Sequence, residues 1–115
     1  MNELDKLQSD LAEFAKDRDW DKFHSPKNLA MALAGESGEL LEHFQWLTEE
    51  QSGNLTKEQK EEVAAEVADI FMYLLRFSDK TGINLLEACE KKLAINSEKY
   101  PVSKSFGVST KYTKL

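Results

Sequence analysis

A chain of 115 residues has room for one domain whose surface is large for its volume, so self-association would help it bury apolar area. Hydrophobic residues at 41% and charged residues at 31%, with only two prolines and five glycines, favour long helices in a globular protein. The formal net charge of −6 excludes a broad basic footprint for polymeric DNA or RNA, which would need many Lys and Arg to neutralise phosphates; an acidic cluster can still face a triphosphate when bound cations reverse the local sign.

The opening residues Met1-Asn2-Glu3-Leu4-Asp5 lack the basic start and apolar run of a signal peptide, and no stretch reaches the length of a membrane span, so a cytoplasmic location is expected. Leu4, Leu7, Leu11 and Phe14 recur at helical spacing and predict a first amphipathic helix from Glu3 to Asp19. Residues 20–25, Trp-Asp-Lys-Phe-His-Ser, break the period. Ser25-Pro26 then reads as an N-cap followed by proline in the first helical position, opening a second helix that runs to Leu47. The polar segment Thr48 to Leu55, with Gly53, is expected to be a loop. Thr56-Lys57-Glu58-Gln59 matches a capping box for a third helix, with Gly82 as its C-cap. Asn84 and Glu87 mark the start of a fourth helix, which Pro101 must end. Residues 1–101 thus form one all-α, four-helix domain, and 102–115 a polar C-terminal tail, mobile or docked on a partner. Cys89 stands alone, which rules out an internal disulfide or a thiolate metal site; it is expected to be a small buried hydrophobe.

The second helix carries the informative anomaly. At about 100° per residue, Leu29, Leu33, Leu40, Phe44 and Leu47 fall in one stripe, and Glu36 lies in the middle of it. An ionised carboxylate among apolar neighbours must find a partner or shift its pKa. Glu39 is one turn along on the flank, close enough to share an ion. Gly35 and Gly38 flank the pair in mid-helix, where each costs roughly 1 kcal/mol relative to alanine, so close approach of a backbone or ligand is expected there.

On the third helix the expected core stripe is Val63, Val67, Ile70, Leu74 and Phe77, with Glu62, Glu66, Asp69 and Tyr73 along its flank. If the two helices pack side by side, Glu36-x-x-Glu39 and Glu66-x-x-Asp69 face each other in an all-oxygen site suited to Mg²⁺ or Mn²⁺. Taken singly, Glu39, Glu62 and Asp69 read as solvated flank, and Trp20, Phe23 and Trp46 as aromatics plugging helix ends. Tyr73 reads as a core residue, His24 as a turn residue, His43 as exposed and Lys99 as a cation at a helix C-terminus. Glu36 has no such ordinary reading. A carboxylate-bridged di-iron bundle would need Glu-x-x-His motifs, and neither His24 nor His43 has a Glu three residues before it.

With these motifs placed, the chain resembles the MazG-like all-α nucleotide pyrophosphohydrolases, and within them the dCTP pyrophosphatase family. The likeness is carried by Arg18-Asp19-Trp20 with Phe23-His24, by Gly35-Glu36 with Gly38-Glu39-Leu40, and by Phe44-Gln45-Trp46. It continues through Glu66-x-x-Asp69 with Tyr73 and through Ile95-Asn96 with Lys99-Tyr100-Pro101. The resemblance implies that Glu36, Glu39, Glu66 and Asp69 hold Mg²⁺, with Mn²⁺ as a substitute. It further implies that Trp20, Trp46 and Tyr73 form a base and sugar pocket and that Asn96, Lys99 and Tyr100 approach the phosphates. The implied reaction is attack of an activated water on the phosphate next to the sugar, releasing pyrophosphate, with dCTP and 5-modified deoxycytidine triphosphates as substrates.

Phe71, Met72 and Leu75 extend the apolar surface of the third helix away from the acids, so a homo-oligomer is expected, a tetramer built from dimers. The alternative is a non-catalytic helical oligomer with an acidic metal-binding seam.

Overall fold

A computed structural model describes residues 2–115, all of whose regular elements are helices. In chain order these are α1 (Glu3–Asp17), a 3₁₀ turn (Asp21–Phe23), α2 (Pro26–Glu42), α3 (Glu49–Ser52), α4 (Lys57–Thr81), α5 (Leu85–Lys99), α6 (Val102–Ser105) and a closing 3₁₀ turn (Tyr112–Lys114). The chain divides into two compact units, Met1–Gly82 and Ile83–Leu115. Among the described residues, no helix is long and apolar enough to cross a membrane.

In the first unit each long helix begins where a polar side chain can take an orphan backbone N–H. Asn2 accepts from Asp5, Ser25 from Asn28 and Thr56 from Gln59, and each such cap is worth about 1 kcal/mol. Gly82 ends α4 in the left-handed region, at φ 71°, as the sequence predicts. α2 and α1 pack against α4. Leu29 of α2, Ala15 of α1 and Leu75 of α4 are buried, and Leu33, Leu40, Phe44 and Leu47 are half-buried along the expected stripe.

Several details depart from expectation. Helix α2 stops at Glu42 rather than Leu47, because the chain tightens into turns: the Phe44 and Gln45 N–H groups both donate to the Leu41 carbonyl. The segment after Thr48 is not all loop, since Thr48 and Gln51 form a second capping box that closes the single turn α3. On α4, Val67 is 49% exposed rather than core, whereas Leu75 is only 1% exposed. Leu75 lies where α1 covers α4 and Gln8 Nε2 donates to its carbonyl at 2.9 Å, so it is not part of an outward-facing patch.

In the second unit Asn84 caps α5 by accepting from Glu87, and the helix ends at Lys99, just before Pro101. Residues 102–115 carry structure of their own. The Tyr112 ring packs edge-on against Tyr100 with centroids 5.9 Å apart, and Lys99 Nζ sits 4.6 Å over the Tyr112 ring. Cys89, expected to be buried, is exposed, because few side chains of α5 are even half-covered.

Candidate active site

The stripe on α2 contains its anomaly in the folded protein: Glu36 is half-buried in line with Leu29, Leu33 and Leu40. On α4, Glu66, Asp69, Ile70 and Tyr73 are likewise half-buried. Because α2 packs along α4, carboxylate oxygens of Glu36, Glu39 and Glu66 lie within 4.8 Å of one another. The Oε2 atoms of Glu36 and Glu66 are shielded from solvent and have no hydrogen-bond partner among the described residues.

Three carboxylates at this spacing cannot all remain ionised without compensation. Burial, then crowding by Glu39 and Glu66, then the charges of Glu39 and Asp69 push the Glu36 carboxyl up to about 7. A proton relieves this arrangement partly, since two carboxyl groups can hydrogen-bond when one is protonated. A divalent cation relieves it more fully, and an all-oxygen donor set with two unpartnered buried oxygens fits a hard ion. Asp69 lies outside the tightest group but acts on it electrostatically. His43, expected to be exposed, has a half-buried ring at the C-cap of α2, 3.8 Å from carboxylate oxygens of both Glu62 and Glu66.

A cavity of about 490 Å³ opens beside the acids, large enough for a nucleotide-sized ligand. Glu36 and Asp69 stand on its wall with Trp20, Met72, Tyr73 and Phe14. The position of Trp20 follows from how α1 ends. The Asp19 N–H bonds to the Lys16 carbonyl and the Trp20 N–H to the Ala15 carbonyl, a Schellman ending that requires a left-handed residue, supplied by Asp19 at φ 55°. This reversal brings the Trp20 ring edge-on to Phe14, with centroids 5.6 Å apart.

The cavity therefore brings together Glu36, Asp69, Trp20 and Tyr73, with Glu39 and Glu66 joined to it through Glu36. It does not include Trp46, which is 87% exposed in the turns that follow the early end of α2. Asn96, Lys99 and Tyr100 belong to the second unit, at the C-terminal end of α5.

Two wall residues were not predicted as functional. His24 follows the 3₁₀ turn and lines the cavity, and so does Arg76 of α4. Arg76 carried the same signal that exposed Glu36, a charge inside an apolar run, Tyr73-Leu74-Leu75-Arg76-Phe77.

Residues 32–115 match the model of the MazG-like family. The chain is similar to dCTP pyrophosphatase 1 of Rattus norvegicus, at 42% identity over 106 residues, and to dCTP pyrophosphatase 1 of Homo sapiens, at 41% over 106 residues. Each alignment takes in 90% of this chain and 62% of the relative, so the chain spans less than two thirds of the length of these curated relatives. A crystal structure of a pyrophosphatase from Archaeoglobus fulgidus is similar at a TM-score of 0.83 and 39% identity, covering 88% of this chain and 94% of that one.

Proposed function

The chain belongs to the MazG-like family, and we propose that it hydrolyses (deoxy)nucleoside triphosphates, dCTP and modified deoxycytidine triphosphates foremost, to the monophosphate and pyrophosphate. The observation that carries this reading is the convergence of Glu36, Glu39 and Glu66 beside an aromatic cavity, with two buried carboxylate oxygens that have no partner among the described residues. The similarity to dCTP pyrophosphatase 1 of Rattus norvegicus and Homo sapiens supports the substrate class.

In this reading Glu36, Glu39, Glu66 and Asp69 hold the cation, Asp69 from the edge of the tight group formed by the other three. Mg²⁺, with Mn²⁺ as a substitute, supplies charge neutralisation at the phosphates and an acidified water when bound. Trp20 and Tyr73 offer aromatic faces to the base and sugar. Glu36, set in the apolar stripe of α2, is the candidate to take the proton from the attacking water. The role of Trp46 in the base pocket and of Asn96, Lys99 and Tyr100 at the phosphates rests on family resemblance. Clearing surplus or non-standard nucleotides is the cellular task that fits such an activity.

The test is pyrophosphate release from a panel of nucleoside triphosphates with Mg²⁺, on the wild type and on alanine variants of Glu36, Glu39, Glu66 and Asp69. Each variant should lose hydrolysis to background while circular dichroism retains the helical signal. Near-normal turnover in two or more of them would remove the site assignment. A wild type that cleaves none of the panel would leave the chain as a helical scaffold with an acidic seam.

A further inference from the structure

Arg76 is a charged group whose side chain is only 5% exposed, and such a group persists only where its donors are met. Three residues meet them. One terminal nitrogen donates to Asp21 Oδ1 at 2.8 Å, the other faces Asp79 Oδ2 at 3.4 Å, and Nε donates to His24 Nδ1 at 3.4 Å. Lys80 Nζ adds a second cation to Asp21 Oδ1 at 3.0 Å, and Lys80 and Arg76 together hold the Asp21 carboxyl below its usual range. The short turn between Trp20 and His24 is therefore tied to α4 at both Asp21 and His24, and Asn28 Nδ2 ties it again at the Phe23 carbonyl.

The contact with His24 fixes more than position. A guanidinium can only donate, so the imidazole nitrogen facing it must offer a lone pair. Nδ1 is then unprotonated, and the ring carries its one proton on Nε2. Burial and the neighbouring Arg76 charge both disfavour a second proton on this ring. His24 lines the same cavity as Trp20 and Tyr73.

We propose that Arg76 is a positioning residue for ligand recognition: it clamps the Trp20–His24 turn through Asp21 and locks His24 in the Nε2–H tautomer, so that this wall offers a hydrogen-bond donor to a carbonyl or ring-nitrogen acceptor of the bound base. The proposal rests on the reading that the cavity receives the nucleotide. A locked donor discriminates among ligands more sharply than a free imidazole, because a ligand lacking the acceptor leaves a polar N–H unpaired.

The first measurement needs no ligand. In long-range ¹H–¹⁵N spectra of the wild type at neutral pH, His24 should show a protonated Nε2 and an unprotonated Nδ1, distinct from the tautomer mixture of a free histidine. A proton on Nδ1, or a doubly protonated ring, would overturn the proposal whatever the protein hydrolyses, so its failure is separable from failure of the pyrophosphohydrolase reading. Arg76→Met should release the ring to a mixture and raise KM for dCTP on the order of tenfold, the scale of one lost buried hydrogen bond, with kcat nearly unchanged. Arg76→Lys should restore neither, because a compact ammonium lacks the planar fork whose separate nitrogens reach His24, Asp79 and Asp21. A retained tautomer or an unchanged KM in Arg76→Met, or full rescue by lysine, would each count against the clamp.

Discussion

Glu36 on α2 and Glu66 on α4 face the same solvent-shielded space, and each leaves its Oε2 there without a hydrogen-bond partner among the described residues. The metal-free protein carries the cost of this pairing. The Glu36 carboxyl rises from an ordinary value of 4.5 to about 7, so between those limits the folded state holds a proton that the unfolded chain has released. A folded state that binds more protons loses stability as pH rises. The contribution is present below about 4.5 and lost through about 7. Glu36→Gln keeps the shape and cannot ionise. In the presence of a chelator the variant should gain on the wild type between about pH 5 and about pH 8, read as the difference in Tm. Mg²⁺ should then raise the Tm of the wild type and not that of the variant. A difference independent of pH would mean that Glu36 is not the group under strain.

Gly35 and Gly38 were expected to admit a closely approaching group, yet a Cβ at either position would meet nothing within 4 Å among the described residues. Both lie well inside α2, where alanine is favoured by roughly 1 kcal/mol. Gly35→Ala and Gly38→Ala should therefore each raise the unfolding free energy of the ligand-free protein by about that amount, measured by urea denaturation. A loss of stability would show that something outside this protomer fills the space.

One-dimensional pattern carries what is decided within a few residues, not what depends on where helices cross. Capping residues act within four positions, so Ser25, Thr56, Gly82 and Asn84 placed the helix ends correctly. Glu36 was legible because a charge in a leucine stripe contradicts the period around it. The burial of Leu75 was not legible, since it depends on where α1 crosses α4, and periodicity within α4 says nothing of that crossing. Arg76 shows the same local contradiction as Glu36, but what holds it is not local: its partners Asp21 and His24 lie 55 and 52 positions away. Thr48-x-x-Gln51 is a local capping signal set in an otherwise polar segment.

The aromatic residues give a test of specificity. Trp20 and Tyr73 stand on the cavity wall, while Trp46 is left facing solvent in the protomer, an unusual state for so large an apolar ring. If Trp46 meets the base when substrate binds, deoxycytidine triphosphates, including 5-modified ones, should be good substrates. Trp46→Ala should then raise KM more than it lowers kcat, the mark of uniform binding lost from ground and transition states alike. Stacking on a tryptophan is worth about 1–3 kcal/mol, so the rise should reach roughly tenfold or more. A preference for purine triphosphates, or steady-state constants that do not move, would take Trp46 out of the pocket.

Assembly is the remaining expectation, and the burial pattern redraws its surface. α1 and α2 leave one face of α4 uncovered, where Ala64, Val67, Ala68 and Phe71 are all exposed and follow one another at helical spacing. The small alanines allow close approach and the larger Val67 and Phe71 supply apolar area, as a helix–helix contact requires. Leu75 drops out of this surface because it is already buried inside the protomer. Met31 and Leu41 on α2 are also exposed, so α4 is not the only helix with apolar side chains in need of cover. Self-association through the α4 face would bury Phe71 against a second copy, and a two-fold axis is the simplest closed solution. The expected state is a homo-oligomer, a tetramer built from dimers, seen by light scattering. Phe71→Glu would place a charge in that contact at a cost of several kcal/mol, and should lower the mass and reduce hydrolysis with it. Because Phe71, 39% exposed, still keeps most of its surface covered inside the protomer, circular dichroism on the same variant separates loss of assembly from loss of fold. A wild type that is monomeric and fully active at low concentration would refute the assembly, and a Phe71→Glu variant of unchanged mass would exclude this face of α4 as its interface.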